Sequence, residues 1–137
     1  MKKTLSLILA VTLLSLLLVS CANKVDDVWT SAIYTEDTTV GEGEKTVFVE
    51  VKAGEQSITL TVKTDKSILG DALLEYGIIA GDHGPYGLYV KYVNGILADY
   101  DVNKYYWGFF KDGEYLITGV DSTEFADGDR YELVYSK

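Results

Sequence analysis

From Thr46 onward the chain alternates apolar and polar residues with a period of two. Val47, Val49 and Val51 stand between Phe48, Glu50 and Lys52, and Ile58, Leu60 and Val62 stand between Thr59, Thr61 and Lys63. Successive strand side chains point to opposite faces, so each run predicts a strand with one buried face. Ala53-Gly54-Glu55-Gln56 between them predicts the turn of a hairpin. The period then changes. Ile68, Leu69, Ala72, Leu73 and Tyr76 recur at helical spacing, with Asp65 or Ser67 as the capping residue and Gly77 as the left-handed stop. Asp82-His83-Gly84-Pro85-Tyr86-Gly87 reads as an irregular loop. Leu88, Val90 and Tyr92 alternate again, and Asn94-Gly95 is a pair favoured in tight hairpin turns because both residues accept positive φ. Tyr105 to Phe110, Tyr115 to Val120 and Arg130 to Tyr135 predict further strands, with turns at Asp112-Gly113 and Asp127-Gly128-Asp129. This order predicts a two-layer α+β domain. In the expected β-grasp-like arrangement, one helix covers one face of one mixed sheet.

The pattern upstream is different. Ala22 to Lys45 has no sustained apolar period and is rich in Asp, Glu and Thr. It reads as a flexible acidic tether over residues 21–45, holding a domain of residues 46–137 about 25–30 Å from its attachment. Trp29 and Tyr34 are out of character for a tether. Their presence leaves three alternatives open: docking back on the domain, a short extra strand, or plain disorder. Ahead of this, Lys2 and Lys3 precede an apolar run from Leu5 to Val19, broken only by Ser6, Thr12 and Ser15. The run is short for a membrane span and has the layout of a signal peptide over residues 1–20. Leu18-Val19-Ser20-Cys21 resembles the lipobox of bacterial lipoproteins. That resemblance implies cleavage before Cys21 and a diacylglyceryl thioether on it. The protein is then expected on the extracytoplasmic face of the cell membrane, anchored by lipid. Cys21 is the single cysteine, so no intrachain disulfide can form.

Charge narrows the partners. The net charge is −9 although Lys2 and Lys3 lie in the leader. Such a surface is repelled by nucleic-acid phosphates and by anionic lipids, so nucleic acid is not expected as a partner, and any membrane attachment has to come from the lipid. No catalytic constellation is visible. His83 is the only histidine, whereas a catalytic base needs a nucleophile to activate and a zinc site needs further ligands. Asp121, Glu124, Asp127 and Asp129 cluster without the EF-hand spacing. There is no phosphate-binding glycine loop. The expectation is a protein without catalysis, structural metal or resident cofactor.

One run stands out. Tyr105-Tyr106-Trp107-Gly108-Phe109-Phe110 is apolar on both sides of its strand, and Gly108 admits close approach of another backbone or a flat ligand. It reads either as an aromatic platform on an uncovered sheet face or as a strand buried on both faces. Its ligand-binding candidates are Tyr105, Tyr106, Trp107, Phe109 and Phe110. Alternation divides them into Tyr106 with Phe110, and Tyr105 with Trp107 and Phe109. The sequence does not choose which set faces outward.

The C-terminal half carries a resemblance. Ile68-Leu69-Gly70-Asp71-Ala72-Leu73 is followed by Tyr89-Val90, Val93-Asn94-Gly95, Tyr106-Trp107, Asp112-Gly113, Gly119-Val120-Asp121 and Phe125-Ala126-Asp127-Gly128-Asp129. In order and spacing this is similar to the transcobalamin-like C-terminal domain family, and it covers Thr46 to Lys137. The resemblance implies the β-domain that closes over cobalamin in transcobalamin and intrinsic factor. Those carriers hold cobalamin between that domain and a large helical barrel, and the present sequence has no barrel. Affinity for free cobalamin is therefore expected to be micromolar or weaker. The functional expectation is a lipid-anchored, non-catalytic binding module for a corrinoid or another bulky ligand. The alternative is an envelope protein–protein interaction or adhesion module without a small-molecule ligand.

Overall fold

A computed structural model describes residues 26–137. The expected signal peptide and the lipidation site Cys21 lie outside the described residues.

The alternating segments form the strands they predict, whereas the strand expected from Tyr115 to Val120 ends at Tyr115. β2 (Lys45–Ala53) and β3 (Gln56–Thr64) pair antiparallel in unbroken register from Lys45 opposite Thr64 to Ala53 opposite Gln56. Val47, Val49, Val51, Leu60 and Val62 are fully buried on one face. Each such side chain contributes about 1.5–3 kcal/mol by leaving water. The two-residue turn Gly54–Glu55 closes the hairpin, with Gly54 at φ +63°. The last strand, β9 (Arg130–Ser136), lies parallel to β2, and β7 (Tyr106–Lys111) lies antiparallel to β9. The short β8 (Glu114–Tyr115) returns along β7 through Asp112-Gly113, both at positive φ.

At the opposite edge, β1 (Thr38–Val40) runs parallel to β3. The result is a mixed six-stranded sheet in the order β1-β3-β2-β9-β7-β8.

The expected single sheet is corrected. β4 (Ile79–Gly84), β5 (Gly87–Val93) and β6 (Ile96–Leu97) form a separate three-stranded sheet. The expected loop Asp82 to Gly87 is in fact the end of β4 and a tight turn at Pro85-Tyr86. β4 is an edge strand, largely exposed after Ile79, so nothing in its sequence alternates. A bulge between Ala80 and Gly81 further breaks its pattern. The small sheet and the helix α1 (Leu69–Glu75) each bury apolar residues in the same core as the large sheet.

Helix α1 begins as expected in position but not in chemistry. Its N-cap is Ile68, without a side-chain cap, while Asp65 Oδ1 instead accepts from the Glu44 amide at 3.0 Å. Gly77, at φ +67°, ends the helix as predicted. A second helix, α2, is the single turn Tyr100–Asn103 capped by Asp99.

The tether is also corrected from residue 26 onward. Asp26–Ser31 forms a 3₁₀ turn that plants Trp29 in the core at 6% exposure. The Trp29 indole donates to the Ala53 carbonyl at 3.0 Å. Tyr34 and Asn94 exchange two hydrogen bonds of 2.8 Å, and Asp37 accepts from the Thr59 amide at 2.8 Å. Of the three alternatives the sequence left open for Trp29 and Tyr34, docking is the one that occurs; the extra strand β1 in this segment contains neither. A few buried anchors outweigh the polar composition of the segment.

Candidate functional site

Strand β7 carries the aromatic run, and its faces are now assigned. Trp107 and Phe109 point into the core at 9% and 7% exposure. Tyr105, on the same side, stacks on Tyr135 with ring centroids 4.3 Å apart. Tyr106 and Phe110 face outward. Between them Gly108 leaves room for the Phe110 ring: a Cβ there would lie 3.0 Å from it. Phe110 then meets Tyr115 edge-on at 5.4 Å. The run is thus neither a flat platform of five rings nor a strand buried on both faces.

What the fold builds instead is a cleft beside β7. About 270 Å³ in volume, it is bounded by Leu88–Val90 of β5, by Tyr106, Trp107 and Phe109 of β7, and by the segment 115–120 that leaves β8. None of its lining side chains is a carboxylate, an amine or a guanidinium. Tyr106, Tyr115 and Ile117 stand on its walls with 39%, 60% and 94% exposure. A second hollow at the β4–β5 turn shares Leu88 and Tyr89 with the first and includes the fully exposed Tyr86. Exposed tyrosines offer a large apolar face with a polar tip, the composition common at recognition surfaces.

The walls are held by specific bonds. The Trp107 indole N–H is shared between the Lys91 and Ile96 carbonyls at 3.2 and 3.3 Å, which fixes its ring under the small sheet. Asp121, in a 3₁₀ turn at Val120–Ser122, accepts from the Leu88 amide at 3.0 Å. A Cβ on Gly87 or on Gly119 would come within 2.6 Å of the Asp121 carboxylate. The Gly119-Val120-Asp121 motif is therefore a clamp that sets the distance between β5 and the 115–120 segment. On the other side of β5, Lys91 bridges Asp82 at 2.7 Å and Asp99 at 3.1 Å. The hydrogen bonds to those two carboxylates hold the lysine well above its ordinary pKa.

His83 lies on the exposed part of β4, Glu124 forms an isolated β-bridge with Ile68, and Asp127 and Asp129 flank Gly128 in the turn before β9. Among the described residues no three His, Cys, Asp or Glu come together as a metal site. Tyr86, Tyr115 and Ile117 are site residues that the sequence reading missed. The available signal was their position in or beside turns, where an apolar side chain has no sheet face to bury it.

A family model described as a domain of unknown function, DUF4430, matches residues 66–137. Solved structures also match. A candidate metal-binding protein from Ruminococcus gnavus ATCC 29149, determined at 1.30 Å resolution, is 34% identical with a TM-score of 0.63, over 69% of this chain and 98% of that one. Haptocorrin in complex with Cbi is 20% identical with a TM-score of 0.52, over 68% of this chain but only 25% of that one. The latter likeness is one of fold. No curated protein matches the chain.

Proposed function

The chain belongs to the DUF4430 family and has a transcobalamin-like fold, and from that premise we propose that it is a non-catalytic binding module, held by a lipid on Cys21 at the extracytoplasmic face of the cell membrane. The observation that carries this reading is the uncharged cleft with its exposed Tyr106, Tyr115 and Ile117. It suits a bulky, neutral, partly apolar ligand better than a charged one. The fold shared with haptocorrin, and the Cbi bound in that protein, make a corrinoid the first small molecule to test. The description of the Ruminococcus gnavus protein supports a binding role, but a metal is no part of the proposal for this chain. His83, exposed on β4, supports the non-catalytic assignment.

The test is a titration of the protein with cobalamin and with cobinamide, followed by absorbance and calorimetry. The expected dissociation constant is micromolar or weaker. Tyr115→Ala should weaken binding by about 1–3 kcal/mol while leaving melting almost unchanged. Absence of heat and of spectral change at saturating concentrations sinks the corrinoid reading. The open backbone edge of β7 beside Trp107 favours the second reading, a protein–protein module of the cell envelope. Anchoring is tested separately: Cys21→Ala should release the protein from the membrane fraction or block its processing, since stable retention takes two acyl chains. A processed, salt-resistant Cys21→Ala protein in the membrane pellet overturns it.

A further inference from the structure

The cleft has a feature that its side chains do not explain. In the β7–β8 hairpin, Lys111 and Glu114 flank a two-residue turn and so exchange backbone hydrogen bonds. Two residues back, the Leu116 amide still bonds to the Phe109 carbonyl at 2.8 Å. Backbone groups of a strand alternate between its two edges, so Lys111, Phe109 and Trp107 all direct N–H and C=O away from β9. Tyr106, Gly108 and Phe110 serve the ladder with β9. Beyond Leu116 the chain departs from β7, and among the described residues no strand pairs with this edge of β7 at Trp107. Trp107 lines the cleft, so this stretch of the β7 edge opens on it. An open donor and acceptor on a strand edge are a ready template for pairing with another extended chain.

Across the cleft the same parity holds on β5. Gly84 and Gly87 flank the Pro85-Tyr86 turn, so Leu88 directs its backbone groups away from β4, as its bond to Asp121 at 3.0 Å demonstrates. The usual defences of an open strand edge are a lysine, a proline or an inward charge, and the residues lining the cleft include none of these.

We infer that the cleft receives an extended peptide segment of a partner protein by strand addition to β7: one residue exchanges two backbone hydrogen bonds with Trp107, as Glu114 does with Lys111. The seated side chains are uncharged and partly apolar, matching the lining, and the flanks are basic, matching a chain of net charge −9. The occupant is a β-conformation backbone rather than an isolated amide, because only a second extended residue presents acceptor and donor at the spacing that Trp107 offers. This inference rests on the proposed role of the cleft as a binding site.

The experiment uses the full chain and capped peptides of about eight residues, a common strand length, with lysines at both ends and valine, leucine or tyrosine at alternating central positions. Binding is followed by calorimetry and by hydrogen exchange of the Trp107 amide. The expected results are fast exchange of that amide in the free protein and at least about tenfold slowing with peptide. N-methylation of one alternating set of peptide nitrogens should weaken binding at least about tenfold, and of the other set less than about twofold. Ile117→Lys, which places a like charge at the mouth, should weaken basic peptides without altering the melting temperature. A Trp107 amide already protected in the free chain overturns the inference, because the edge is then occupied from within. So does a failure of every peptide to bind, or equal sensitivity to both methylation sets. Cobinamide binding that responds to Tyr115→Ala, with no peptide bound, leaves the binding module standing and removes strand addition alone.

Discussion

The β2–β3 hairpin and the β5–β7 cleft are built from similar residues and do opposite things with them. In the hairpin every second side chain from Val47 to Val51 and from Ile58 to Val62 is buried, and the register runs without a shift. Around the cleft the strands are short and a bulge shifts the register of β4 and β5. Turns at Asn94-Gly95 and Asp112-Gly113 place successive residues at positive φ. Large apolar side chains, among them Tyr89, Tyr115 and Ile117, are left in solvent. The regular half supplies a rigid wall. The irregular half spends its apolar surface outward, where it is free to meet a partner. Trp107 and Phe109 belong to both halves, since their rings face the shared core while the β7 edge faces the cleft.

Core truncation should give the largest effect and should respect this division. Leu60→Ala and Trp107→Ala are each expected to cost about 2–5 kcal/mol, measured by chemical denaturation. If Trp107→Ala melts like the native protein, the inward face of β7 is misassigned. Next comes the backbone that ties the last strand to the regular half. The Gly128 amide donates to the Thr46 carbonyl at 2.7 Å, and Gly128 sits at φ +89° with no atom within 4 Å of a built Cβ. Gly128→Val should therefore act through φ alone and destabilise by about 1–3 kcal/mol. An unchanged melting temperature would show that the turn tolerates a β-branched residue and that its glycine is incidental.

Acid should act on the same turn. Asp129 accepts from the Ala126 amide at 2.9 Å and from Lys111 at 3.2 Å. Chiefly the amide bond, then the lysine, hold its carboxyl below the usual range, against the opposing effect of burial. Its unfolded form therefore takes up a proton first as pH falls. The stability it contributes is present above the ordinary carboxylate value and lost as pH drops through the lowered one. Asp129→Asn should flatten the pH dependence of melting below about pH 4 and leave it unaltered near neutrality. An unaltered acid limb would remove Asp129 from the turn's chemistry. The smallest effects belong to the cleft walls. Tyr115→Ala and Ile117→Lys should each change stability by less than about 0.5 kcal/mol, as exposed substitutions do. A large loss from either would move that side chain from the recognition surface into the core.

How far the sequence could be read follows the same division. Thr46 to Lys63 was legible because burial on one face writes a period of two into consecutive residues. Helix α1 was legible because Leu69, Ala72 and Leu73 keep helical spacing against the core. β4 was not, since an edge strand exposed beyond Ile79 has no face to record. The docked segment before β1 was not decidable either: Trp29 and Tyr34 are single anchors, and one anchor has no period. The aromatic run announced itself, yet which set faces outward depends on strand pairing far along the chain, on Val134 and Ser136 beside Gly108. Tyr86 and Ile117 gained their exposure from turns whose paths no local pattern specifies.

The docking of Trp29 on Ala53 also has a navigational consequence for the proposed anchor at Cys21. Asp26 is the first described residue, so on the proposed anchoring the chain between it and Cys21 would span at most about 15–18 Å. A domain held on so short a line would not tumble freely above a bilayer. It would keep a heading as well as a position. Lys52, Val134 and Gly108 lie in one row across the sheet, so the end of β2 that receives Trp29 is level with the Tyr106–Trp107 end of β7. On the proposed anchoring, the mooring and the Trp107 edge of the cleft would share one end of the vessel, and whatever boards there would do so close to the quay.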